Sequence, residues 1–130
     1  MKIITTSYDD NEFLRIKNFG IEDIAENAHW GRGIRDSYIL HYVLSGEGYF
    51  NNNKVRVEEG FLIKPKDSHE YHSSINQPWS YFWVTFDGKD AERICEEYIG
   101  TREGGIFDYG FKPKLLDLCD KMLSEENSIS

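Results

Sequence analysis

Between residues 38 and 87 short apolar or alternating runs are broken roughly every eight to twelve positions by Gly-, Asn- or Pro-containing turns. That rhythm predicts short β-strands closing into a sandwich or barrel. Residues 38–44 are almost continuously apolar, as in a strand buried on both faces. Residues 45–48 form a turn or bulge, and Tyr49 and Phe50 resume the sheet. Asn51, Asn52 and Asn53 tolerate left-handed backbone and predict a hairpin. Residues 54–58 place Val55 and Val57 on one face, Glu59 and Gly60 turn the chain, and 61–64 form a strand ended by Pro65. Strands at 68–73 and 80–86 follow, joined around Pro78. Upstream, residues 3–6 are β-prone and the rest of the first twenty has no clear period. Residues 21–37, with Gly31 and Gly33 inside them, read as a loop approaching the barrel.

After Gly88 the period changes from two to about 3.6. Ala91, Ile94, Cys95 and Tyr98 share one helical stripe, closed by Gly100. Pro113 opens a second helix with Leu115, Leu118, Cys119 and Met122 along its apolar face, widened by Leu116 and Leu123. The polar residues 124–130 read as the start of a linker. The pattern therefore predicts a mainly β chain: a barrel of about eight strands over residues 1–88, then two or more helices over 89–130 that pack on it as one structural domain.

Composition narrows the function. At 130 residues a single domain can bury a real core. A net charge of −8 shows no basic stripe of the kind DNA-contacting modules carry. No stretch approaches twenty apolar residues, and no basic region followed by an apolar one opens the chain, so the expected location is the cytoplasm, with no membrane. Cys95 and Cys119 fit small buried residues in a reducing compartment.

His69 and His72 are three apart on a strand and point to opposite sides, so they cannot share a metal ion without a bulge. His29 and His41 lie on other segments. No nucleophile elbow and no phosphate-cradling glycine loop exists. No metal, cofactor or catalytic residue is expected. A pocket is better supported. Tyr81, Trp83 and Thr85 share one strand face, whereas Phe82, Val84 and Phe86 share the other. His69 and Tyr71 share a face of the neighbouring run. Such residues either fill a core with satisfied polar tips or line a site in which an indole packs on a sugar's C–H face. Arg32 or Arg35 could fork onto two ligand oxygens or stay solvated.

Three segments in order, RDSYILHYVLSGEGYF, EEGFLIKPKDSHEY and PWSYFWVTFDG, resemble the N-terminal sensor domain of AraC-type transcription regulators. The likeness spans about residues 30–99. It implies a cupin-like (jelly-roll) barrel that binds a small carbohydrate-like effector, takes part in homodimerisation, and leaves DNA binding to a separate C-terminal helix-turn-helix domain. The chain ends before any such domain and reads as a sensor fragment. In the arabinose-responsive member the sugar stacks on a tryptophan, a role carried to Trp83; a tyrosine contact is carried to Tyr71, and an arginine contact to Arg32, with Arg35 as rival. The family's histidine two positions before the tryptophan is Tyr81 here, so arabinose itself is not carried over. The predicted ligand set is Arg32, Arg35, His69, Tyr71, Tyr81 and Trp83. The second helix resembles part of the dimerisation region, through Leu115, Leu118 and Met122, and equally fits a helix that only packs on the barrel. A stand-alone metal-dependent cupin enzyme (an isomerase or dioxygenase) and a ligand-free dimerisation module are the rival readings.

Overall fold

The computed structural model describes residues 1–5, 13–24 and 29–128, with side chains to residue 124. Ten strands among the described residues form two antiparallel sheets. The six-stranded sheet runs β1 (Lys2–Thr5), β2 (Arg15–Glu22), β9 (Ser80–Asp87), β4 (Tyr38–Ser45), β7 (Glu59–Ile63) and β10 (Ile106–Asp108). The four-stranded sheet runs β3 (His29–Gly33), β8 (His69–Ser73), β5 (Glu47–Phe50) and β6 (Asn53–Arg56). Helices α1 (Ala91–Tyr98) and α2 (Pro113–Ser128) follow. This is a cupin-like two-sheet barrel with C-terminal helices, the class expected.

Residues 21–37 are not the expected loop. β2 runs through Glu22 and β3 begins at His29. One face of β2 carries Asn18 and Gly20 rather than apolar side chains, and β3 is the glycine-rich HWGRG. Neither has strong strand propensity of its own, and pairing with β9 and β8 makes them strands. The Asn hairpin forms as expected, with Asn51 and Asn52 both at positive φ between β5 and β6. The next turn falls on Val57 and Glu58, the latter at φ 69°, two residues ahead of the expected Glu59 and Gly60. Gly60 lies inside β7, where a Cβ would meet the carbonyl of His41 and the ring of Phe107.

Strand alternation divides the apolar residues into two layers. Between the sheets lie Ile39, Val43, Phe50, Val55, Phe61, Ile63 and Trp79. On the outer face of the large sheet, Leu40, Leu62, Phe86 and Phe107 pack with Ala91 and Cys95 of α1. Ile21 and Phe82 pack with Cys119 and Met122 of α2. β10 joins this sheet beside β7 from beyond α1, so the chain after residue 88 also completes the barrel wall. Residues 124–128, read as a linker start, continue α2. No helix is long and apolar enough to cross a membrane.

Candidate functional site

β9 supplies the backbone of the site. Tyr81, Trp83 and Thr85 project between the sheets while Phe82, Val84 and Phe86 face the helices. Above the filled part of the barrel lies a cavity of about 530 Å³, within the range typical of small-molecule sites. Its wall is made by those three residues with Asn18 of β2, His41 of β4 and Tyr71 of β8. Arg35 and Ser37 enter from the segment before β4, and the exposed Met1, Ile3 and Ile34 border the cavity.

The aromatic wall is continuous. His41 stacks on Phe61 at 4.4 Å, and its ring lies 4.9 Å from both Tyr71 and Tyr81. Tyr81 lies 6.0 Å from Trp83. Tyr71, Tyr81 and Trp83 also pack against the inner core, so each closes the core with one side and meets the cavity with another. Trp83 donates its indole N–H to Asn18 Oδ1 at 3.0 Å.

The polar groups of the wall are one guanidinium, two phenols and an imidazole. The Arg35 guanidinium lies 4.0 Å from the centre of the Trp30 ring, a cation–π contact. Burial raises the pKa of Tyr71, with Arg35 opposing, and burial followed by the charge of Tyr71 raises that of Tyr81. Both phenols therefore stay protonated at neutral pH. Burial, then the charges of Arg35 and His69, lowers His41 to about 3, so its imidazole is neutral. His41 Nδ1 and Arg35 Nε are buried and have no hydrogen-bond partner among the described residues.

Four of the six residues predicted as ligand contacts, Arg35, Tyr71, Tyr81 and Trp83, meet at this cavity. Arg32 does not. It is exposed and donates to Glu70 at 3.2 Å, because β3 carries it to the outer surface. His69 is buried outside the cavity wall. Its Nδ1 donates to the Asp67 carbonyl at 3.0 Å and its ring stacks on Trp30 at 4.6 Å. Of the helix residues named for dimerisation, Met122 is buried and Leu115 packs on the chain's own sheet, while Leu118 is exposed. Asn18 and His41 of the cavity wall are not among the residues expected there, and Trp30, outside the wall, supports Arg35. His41 was detectable from alternation along β4 with Ile39 and Val43. Asn18 was not, since β2 has no legible period. Among the described residues no group of three or more His, Cys, Asp or Glu could hold a metal ion.

Comparison with known proteins follows the same lines. A family model described as AraC-like ligand binding domain matches residues 16–129. The Msm operon regulatory protein of Streptococcus mutans serotype c is 34% identical over 100 residues, covering 72% of this chain and 36% of that protein. The raffinose operon transcriptional regulatory protein RafR of Pediococcus pentosaceus is 36% identical over 74 residues, covering 52% and 27%. The chain thus spans about a third of the length of these curated relatives. Among solved structures, the protein YhaK from Escherichia coli superposes with a TM-score of 0.57 at 16% identity, over 85% of this chain and 51% of that one, a likeness of fold alone.

Proposed function

Because the chain belongs to the AraC-like ligand binding domain family, we propose that it is the effector-sensing domain of a transcription regulator and that its effector is a sugar or sugar acid. The observation that carries this reading is the convergence of Arg35, Tyr71, Tyr81 and Trp83 on one cavity. An aromatic platform, two protonated phenols and an arginine match the mixed C–H and hydroxyl faces of a carbohydrate. His41 Nδ1 and Arg35 Nε, without a hydrogen-bond partner among the described residues, belong to residues of the same wall, and sugar hydroxyls supply both a donor and acceptors. Relatives named for the Msm and raffinose operons support a carbohydrate signal.

The domain acts on this reading without catalysis, by shifting a conformational population. Effector that binds one arrangement of the barrel and its helices more tightly favours that arrangement, and so changes how a separate DNA-binding domain is presented. Homodimerisation, with α2 contributing Leu118, completes the proposal. It is tested by calorimetry on the purified chain against raffinose, melibiose, galactose, arabinose and galacturonate, repeated with Trp83→Ala. A bound sugar whose affinity Trp83→Ala leaves unchanged sinks the assignment of the cavity.

A further inference from the structure

The indole of Trp83 is held in place by β2 rather than by β9, which carries it. Asn18 and Gly20 are two apart and project to the same face, and Gly20 is the direct cross-strand partner of Trp83. The indole lies so close over Gly20 that a Cβ there would come 2.6 Å from both Cζ2 and Cη2, and would also meet the carbonyl of Lys2. Its Nε1–H is meanwhile taken by Asn18 Oδ1 at 3.0 Å. Two consequences follow. The indole cannot swing toward β2 or turn its N–H freely, and the surface it offers the cavity is ring carbon.

We infer that Asn18 and Gly20 are positioning residues that hold Trp83 as a flat platform without a free N–H, and thereby bias the cavity toward ligands with an apolar C–H face, such as a pyranose ring. The selectivity half rests on the reading of the cavity as the effector site; the positioning half does not. A ligand that needs a hydrogen-bond donor at this wall gains nothing from Trp83 while Asn18 holds the N–H. Asn18→Leu keeps an inward side chain but removes the acceptor. Asn18→Asp keeps an acceptor oxygen in the same place.

The test uses the whole chain labelled with nitrogen-15. Its three tryptophans give three indole N–H resonances, and Trp83→Phe identifies the one that belongs to Trp83. Asn18→Leu is expected to move that resonance and to speed its exchange with deuterium at least tenfold, while Asn18→Asp restores slow exchange. A helper role in stability alone would not single out one indole. Galactose and raffinose are then titrated calorimetrically. Loss of the hydrogen bond that fixes the platform should weaken whichever binds by about three- to tenfold in Asn18→Leu, and much less in Asn18→Asp. An unmoved Trp83 resonance in Asn18→Leu overturns the positioning claim whether or not any sugar binds. A moved resonance with unchanged sugar affinity overturns the selectivity claim. If neither sugar binds the wild-type chain, the carbohydrate reading and the selectivity claim fall together, and the resonance alone decides the positioning.

Discussion

His41 predicts how stability depends on pH. Its ring is buried, stacked on Phe61 and tilted against Tyr71 and Tyr81, and its pKa is lowered to about 3 from the ordinary 6.5. The folded protein thus holds it neutral down to about pH 3, whereas the unfolded chain takes up a proton below about 6.5. Stability is therefore fully present above pH 6.5 and falls as the pH drops toward 3, because the unfolded state binds the extra proton. Over that window each pH unit costs about 1.4 kcal/mol, so between pH 7 and pH 5 the loss from His41 alone is ~2 kcal/mol. For a domain of this size that lowers Tm by roughly 6 °C. His69, also pushed down mainly by burial, adds a loss of the same sign. The assay is thermal unfolding by circular dichroism at pH 5, 6 and 7 for the wild type and for His41→Gln, which cannot titrate. Whatever the variant costs in absolute stability, its Tm should depend less steeply on pH. If the gap in Tm between the two proteins is constant from pH 7 to pH 5, the reasoning is refuted. An imidazole titration of His41 with a midpoint above 5 refutes it equally.

Three further predictions follow from packing. Phe61 is fully buried and stacks on His41, Phe50 and Trp79, so Phe61→Ala should cost about 3–5 kcal/mol in urea unfolding through lost transfer energy and the cavity left behind. On α2, Met122→Ala should cost about 2–5 kcal/mol, whereas Leu118→Ser should change monomer stability by less than about 0.5 kcal/mol. Sedimentation of Leu118→Ser against wild type checks the proposed role of that residue in dimerisation. Burial raises the thiol pKa of Cys95 and pushes that of Cys119 up to about 11, so both should resist iodoacetamide at pH 8 in the native protein and react promptly in guanidinium.

Much of this was legible one element at a time. Alternation in β9 separates Tyr81, Trp83 and Thr85 from the wholly apolar Phe82, Val84 and Phe86, because the pleat forces that division whatever the partner strand is. The 3.6-residue stripes located α1 and α2, and the asparagines of the hairpin showed where the backbone would turn. Interrupted periodicity hides the rest: the glycines of β3 weaken any local preference for a strand, so its residues alone suggest a loop. Along β2 the inward positions carry Asn18 and Gly20, whose value lies in what they touch on β9.

The sequence by itself determined the class of the barrel, the apolar and amphipathic faces of its strands, and the aromatic character of its interior. Only the tertiary structure decided which of two nearby arginines reaches the cavity. β3 pairs with β8 through a register shift between Gly31 and Gly33. Arg32 sits in that shift and pairs with Glu70 outside, and Arg35, just past the strand, rests on Trp30 and reaches in. A one-residue change of register exchanges the two faces of a strand, and register is set by hydrogen bonds to a segment some forty residues away. No local pattern around the two arginines carries that information.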